Sequence, residues 1–418
     1  MKNIPDVIVI GGGHAGLSIS YHLQQQQISH MVLERGQIGE SWHSQRWDSF
    51  TLNTPNWMNL LPGETADSYT DPDAFLSRQA FLRKLQQYVQ RYRLPVHTGC
   101  NVTRVHPLPE GLFHVQYQHM RITCEVVCRQ LVIASGMMSR GQTQDTTFFP
   151  PAITPYHAAT YRHPAQLPAG NVLVIGSGQS GCQITEELAA AGKKVFLATS
   201  KVGRSPRWYK GRDMMHWMVQ TGYMDMPTAA VQDSNMLHAR QPQVSGIGAY
   251  GHTISLQWLH GKGVAIMGKF TGADATQLYF DQQAAAHVHY ADERSALMKQ
   301  MADHYIASQA LPDATILPDE ADLPDPGAAC VDGRTALHIG DENITAVIRT
   351  TGFDTDFSWL QLPILNAQGQ LIHTNGITPL PGIYALGFPW LRKRKSGIIY
   401  GIAEDAAFIA GEILKNRS

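Results

Sequence analysis

The chain opens on four consecutive β-branched residues, Val7-Ile8-Val9-Ile10, directly after Pro5-Asp6. An unbroken apolar run of this kind predicts a buried parallel strand, because a half-exposed strand would alternate apolar and polar residues. Leu17, Ile19, Ser20 and Leu23 follow as an amphipathic helix, and His30–Leu33 predicts a second strand. The same order recurs later, with Asn171–Ile175 as strand, Gln183–Ala191 as helix and Lys194–Ala198 as strand. Between the repeats, Phe75, Leu76, Phe81, Leu82, Leu85, Tyr88 and Val89 share one face of a helix expected over Asp73–Tyr92. Strands are expected at Val96–Val105, Phe113–Tyr117 and Thr123–Val127, and at Gln130–Ala134 running into Ser135-Gly136. Further on, the pattern predicts a helix over Asp292–Ala310, strands over Asn343–Thr350 and Gly382–Phe388, and a C-terminal helix. Prolines 150, 151, 155, 164 and 168 mark a crossing between units, and the acidic, proline-rich run 312–326 reads as another loop or crossing. The alternation predicts an α/β protein with two Rossmann-like units, the second inserted into the first.

Both repeats carry glycines at G-x-G-x-x-G spacing where strand turns into helix: Gly11, Gly13 and Gly16, then Gly176, Gly178 and Gly181. The first glycine permits the tight turn and the second lets a pyrophosphate approach the backbone. The third allows helix and strand to pack closely, with phosphates at the positive helix N-terminus. The backbone of His14, Ala15, Gln179 and Ser180 belongs to the same two loops. Two such motifs in strand–helix context imply two dinucleotide sites. The first unit's second strand ends on Glu34, followed by Arg35, near the ~20-residue offset at which an acid binds ribose hydroxyls. The second ends on Thr199-Ser200-Lys201, with Arg204 and Arg207 nearby. Hydroxyls and cations there favour a 2′-phosphate, hence NADPH, with NADH kept as an alternative donor. Lys201 could equally be a solvated strand end.

The stretch Gly39–Asp48, with Ser41, Trp42 and Trp47, reads as a wall of the first site or as a surface loop with satellite packing. Gly136, Thr351, Gly352, Gly387, Ser396 and Gly397 stand where strands run into small-residue turns or a helix begins, and are candidate cofactor contacts. Several methionines between Met214 and Met226, with Trp208, Trp217 and Trp258, could line a cavity, but core is the better reading for most of them. His287 and His289 lack a third ligand at supportive spacing, so no metal site is expected.

Composition narrows the class. The chain has 418 residues, 43% of them hydrophobic and 16% charged, with a net charge of −1. That balance offers no electrostatic footprint for nucleic acid or an anionic membrane. The basic run Arg392–Lys395 is too short to change this. Five cysteines at irregular spacing read as reduced thiols. With no signal-peptide pattern and no apolar run near the ~20 residues of a spanning helix, a soluble cytoplasmic protein is expected. A homodimer is compatible with the sequence.

These motifs, with Thr351-Gly352-Phe353-Asp354 and Gly382–Gly387, resemble the two-dinucleotide flavoprotein monooxygenases. That group includes the microsomal-type flavin-containing monooxygenases, the plant auxin-forming enzymes and many bacterial relatives. The resemblance spans nearly the whole chain except 205–330. It implies FAD on the first glycine motif and NADPH on the second, with FAD-binding residues 1–165 and 330–418 flanking an NADPH-binding unit at 166–329. The family signature F-x-G-x-x-x-H-x-x-x-(W/Y/F) is half present: His157 and Tyr161 match, whereas Pro151 and Ile153 replace its Phe and Gly. Counting back from Pro62, the resemblance places the family's flavin-side asparagine at Asn53, whose amide could donate to a developing peroxide or alkoxide. Alternatively, Asn53 simply makes a turn before Pro55. The activity implied is transfer of one oxygen atom from a 4a-hydroperoxyflavin to a small organic substrate, first at sulfur or amine nitrogen, alternatively by Baeyer–Villiger insertion into a ketone. Molecular oxygen is the co-substrate.

Three rivals share parts of this pattern. A pyridine nucleotide–disulfide reductase needs a close cysteine pair, and Cys124 and Cys128 lie ~13 Å apart if extended on one strand. An NADPH oxidase would release hydrogen peroxide. A nucleotide sensor would keep the glycine loops without a reactive cavity.

Overall fold

The computed structural model describes residues 4–142, 149–238, 251–312 and 319–416, with Gln243, Gly246 and Gly248. Residues 313–318 of the acidic, proline-rich run lie outside these. Ten strands are used below: β1 (Val7–Ile10), β2 (His30–Leu33), β3 (Val96–His97), β4 (Gln130–Ile133), β5 (Thr154–His157), β6 (Asn171–Ile175), β7 (Val195–Ala198), β8 (Ala265–Met267), β9 (Ile344–Arg349) and β10 (Ile383–Ala385). They form two five-stranded parallel sheets, ordered β10-β4-β1-β2-β3 and β8-β7-β6-β9-β5. The principal helices are α1 (His14–Gln25), α2 (Arg78–Tyr92), α3 (Gln179–Ala190), α4 (Met214–Gln220), α5 (Ala284–Ser308) and α6 (Ile399–Lys415).

The unbroken apolar run of β1 is explained by burial on both faces. Val7 and Val9 face one core with Leu17 and Leu23 of α1 and Ile402 and Ala406 of α6. Ile8 and Ile10 face another, with Val105 and Val115 of a three-stranded antiparallel sheet over 100–128. Side chains alternate across a strand, so two covered faces require four apolar residues in a row. The second unit repeats this: Val172 and Val174 join the first core, while Leu173 joins a third with Phe196 and Val347.

The C-terminal residues return to the first sheet, where β10 pairs with β4 and α6 packs on α1. The expected boundaries at 165/166 and 329/330 nevertheless cut the second sheet. Strand β9 pairs with β6, and β5 pairs with β9, so one strand from each side of the insertion belongs to the second unit. An apolar run signals a buried strand but not which sheet it joins; that is settled by which edge is left unpaired.

Three helix starts also differ from expectation. Helix α2 begins at Arg78 because Ser77, in extended conformation, accepts the Ala80 N–H at 3.2 Å; Phe75 and Leu76 therefore lie in the preceding loop. Helix α3 starts at Gln179, directly after Gly178, and α5 at Ala284. The methionines form core: Met214, Met218, Met224 and Met298 pack with Met58 and against Trp57 and Tyr400, joining the inserted segment to the first unit. Burying each such side chain contributes on the order of 2 kcal/mol. Among the described residues, no helix is long and apolar enough to cross a membrane.

Candidate functional site: two glycine cradles and the seam between them

The three glycines of each loop have separable reasons to be glycine. Gly11 and Gly176 have φ of +114° and +106°, in the region L side chains rarely enter. Gly16 and Gly181 sit against the loop itself: a Cβ would meet Gly11 O at 1.8 Å and Gly176 O at 1.9 Å. Gly13 and Gly178 are different, since a Cβ on either would meet nothing within 4 Å. Neither fold nor packing needs glycine at these two positions, whereas a phosphate approaching the backbone does. The loops therefore fit a dinucleotide by an observation independent of the motif.

At the ends of β1, β2 and β4 lies a cavity of about 310 Å³ whose lining includes Gly11, Glu34, Arg35, Ser135, Ser139 and Asp356. Glu34 is buried, accepting from Gly12 N at 2.6 Å and Gly36 N at 2.9 Å. Burial pushes its carboxyl pKa up, and those two N–H groups and Arg35 oppose the rise. Arg35 reaches Ser139 O at 3.3 Å, and Ser139 donates to Gly136 O. Gly136 has a φ of +78°, with open space where a Cβ would be. Ser135 Oγ, His14 Nε2 and Thr351 Oγ1 are buried without a hydrogen-bond partner. Burial lowers the His14 ring pKa to about 4, so it is neutral at physiological pH. Unpaired buried polar atoms are costly, and a bound nucleotide could satisfy them.

Other sequence candidates have structural duties. Ala15 packs against Gly387, where a Cβ would come within 2.6 Å of it. Trp42 packs edge-on against Phe81 in the short helix Glu40–Ser44 that also holds Ser41. Trp47 is 1% exposed and packs in the core, with its indole Nε1 buried and without a hydrogen-bond partner. Ser396 Oγ accepts from Arg392 N and Lys393 N, and a Cβ on Gly397 would strike Pro389 N at 2.7 Å. Both serve the turn into α6. Gly352 O accepts from His157 Nε2 at 3.0 Å. The other matching signature residue, Tyr161, donates to Glu187 at 2.6 Å, and Ser49 donates to the same carboxylate. The half-present signature thus fastens the crossing to the second unit, while Ser49 ties the first unit to the same carboxylate.

At the second cradle, Ser200 N donates to Ser177 Oγ at 3.0 Å, and Lys201 is exposed with its ammonium 4.8 Å from the Tyr290 ring centre. Thr199 is buried against His287, so that histidine serves the fold. Arg204 and Arg207 cannot serve a 2′-phosphate as expected. Arg204 is buried between Asp292 and Asp322, and Arg207 is buried against Asp213. The folded insertion supplies these acids, and the local sequence around Lys201 gives no hint of them.

Three further groups, Arg46, Gln183 and the backbone of Asn53, carry no local signal in the sequence. The buried Arg46 guanidinium lies 5.3–5.5 Å from the rings of Trp42, Phe50 and Phe353, and burial lowers its pKa to about 10. It makes no ion pair among the described residues, leaving a fixed positive charge in the seam. Asn53 sits where both units meet. Its carbonyl accepts from Arg207 at 2.8 Å and its Oδ1 from Gln183 Nε2 at 3.3 Å.

The cysteines are all free thiols, and Cys182 is buried with its thiol on Ser177 O. Among the described residues, no group of three or more His, Cys, Asp or Glu could hold a metal.

Two parallel sheets, each ending in a glycine cradle and fused through a shared seam, define a two-dinucleotide oxidoreductase. Residues 8–244 match the model of the pyridine nucleotide-disulphide oxidoreductase family, and the chain belongs to that family. It is 27% identical to an uncharacterized CzcO-like oxidoreductase of Geobacillus kaustophilus, covering all of both chains. It is 25% identical to the probable indole-3-pyruvate monooxygenase YUCCA8 of Arabidopsis thaliana, over 50% of this chain and 49% of that one. Among solved structures, a flavin-containing monooxygenase from Stenotrophomonas maltophilia superposes with a TM-score of 0.65 at 20% identity, covering 99% of each chain. The expected fold resemblance to flavin-containing monooxygenases is therefore present.

Proposed function

We propose that this protein is an NADPH-dependent flavoprotein monooxygenase, with FAD on the Gly11–Gly16 cradle and NADPH on the Gly176–Gly181 cradle. It would oxygenate a small organic substrate at sulfur or amine nitrogen. The observation that carries this reading is Asn53, a polar amide at the seam of the two cradles and anchored from the second unit. When bound, the flavin supplies hydride acceptance and oxygen activation. The chain's own residues hold the two dinucleotides on α1 and α3, read the ribose at Glu34 and the 2′-phosphate at Lys201, and present the Asn53 amide as a donor. Four of the five free thiols are buried, Cys128 among them, which weighs against disulfide reduction because a thiol kept protonated by burial is a poor nucleophile. Burial pushes Cys128 up to about 12 and raises Cys182 further still.

The test is stopped-flow absorbance on the purified protein, reduced anaerobically with NADPH and then mixed with oxygenated buffer. A near-ultraviolet intermediate that persists with NADP bound, and discharges faster with a sulfide or amine, is the expected result. Faster discharge with ketones alone would move the chemistry to Baeyer–Villiger insertion. Immediate return to oxidised flavin with stoichiometric hydrogen peroxide would overturn the monooxygenase reading in favour of an oxidase.

A further inference from the structure

Gln183 is a buried amide in the second turn of α3. It is 1% exposed, flanked by the fully buried Cys182 and Ile184, and its Oε1 has no hydrogen-bond partner. Burying an amide with an unmet acceptor is destabilising, and a methionine of similar shape would avoid that cost. One described interaction of its side chain is Nε2 donating to Asn53 Oδ1 across the seam. That contact has a directional consequence. A primary amide has one acceptor end and one end with two N–H groups. With Oδ1 engaged by Gln183, the N–H end of Asn53 is left for a ligand, and nothing among the described residues accepts from it. The backbone is fixed separately, by Arg207 on the Asn53 carbonyl. Arg207 is in turn held by Asp213 and lies 4.7 Å from the ring centre of Phe75.

We infer that Gln183 is a positioning residue: from the second unit's helix α3, it turns the Asn53 amide so that its N–H groups face the reacting centre. The inference rests on the catalytic reading of Asn53 and adds that the second dinucleotide unit sets the amide's orientation. A structural role alone would make Gln183 variants less stable. A positioning role makes their effect conditional on Asn53.

The experiment compares Asn53→Ala, Gln183→Met and the double variant, using the decay rate of the near-ultraviolet intermediate, flavin content and Tm. Gln183→Met is expected to keep its flavin and to raise the decay rate about tenfold. Its KM for NADPH should stay within about twofold of the parent, and it should add nothing in the Asn53→Ala background. Gln183→Glu is a second, isosteric variant for use if the methionine fails to fold. A carboxylate accepts but cannot donate, so it draws the Asn53 N–H end toward itself and should accelerate decay at least as much. If Asn53→Ala accelerates decay but the Gln183 effect is absent, confined to KM, or multiplies with it, the inference falls and the catalytic reading of Asn53 stands. If Asn53→Ala leaves decay unchanged, that reading falls and takes the inference with it.

Discussion

Within each glycine loop, neighbouring residues do different work, and substitution separates them. A side chain at Gly13 would project into open space, whereas one at Gly16 would collide with Gly11 O at 1.8 Å. Gly13→Val is therefore expected to yield a folded, colourless protein, with its flavin-to-protein absorbance ratio reduced at least tenfold. Gly16→Ala is expected to be insoluble, since a contact that short can be relieved only by parting α1 from β1. A yellow Gly13→Val protein would show that nothing binds over that glycine. At the second loop, Lys201 is the exposed cation left once Arg204 and Arg207 are committed to acids. Lys201→Ala should raise the KM for NADPH about tenfold or more and hardly move that for NADH, because a charged hydrogen bond contributes roughly 1.5–3 kcal/mol. Equal shifts for both nucleotides would remove Lys201 from 2′-phosphate recognition.

At the scale of elements, helix α2 tests how far local chemistry controls structure. Its apolar face is plain in the sequence, yet the helix starts where Ser77 can cap it. Ser77→Ala should lower stability by about 1 kcal/mol in denaturant titration, with flavin content unchanged. A flavin loss would mean that the segment leading from Thr51 to Asn53, which Ser77 bridges at Thr51, depends on the cap. The second motif shows the opposite case. Its helix starts at once after Gly178, so Gln183 lies in its second turn and faces the seam. Amphipathic spacing alone delayed the expected start, because Gln179, Ser180 and Gly181 are not apolar.

Across the whole molecule, the insertion is fastened to the second cradle's helix by a histidine–carboxylate pair. His252 Nε2 lies 2.5 Å from Glu186 Oε1, and Trp258 Nε1 donates to the same oxygen at 3.4 Å. The hydrogen bond to Glu186 raises the His252 pKa above its usual 6.5, more than burial lowers it. The pair's contribution to stability is thus complete below pH 6.5 and is lost as pH rises through the folded-state pKa. Tm should fall over that window in the parent and more shallowly in His252→Gln; identical slopes would show that the pair contributes nothing. The basic run Arg392–Lys395 has a similar structural use. Lys393 and Lys395 pair with Asp225 and Glu404, and Arg394 covers Tyr223, tying the insertion to the base of α6.

The sequence by itself determined the two strand–glycine–helix units, the separable duties of their glycines, and Glu34 and Lys201 as strand-end residues. These rest on local physics: side-chain periodicity, backbone dihedrals and residue spacing. Tertiary structure decided which sheet β5 and β9 complete, since a buried run pairs with whatever edge lies open. It also decided that Arg204, Arg207 and Trp47 are interior, because the acids and rings that bury them come from distant segments. The seam followed the same rule: a hydrogen bond between Gln183 and Asn53 depends on how two units dock, and no local pattern records that.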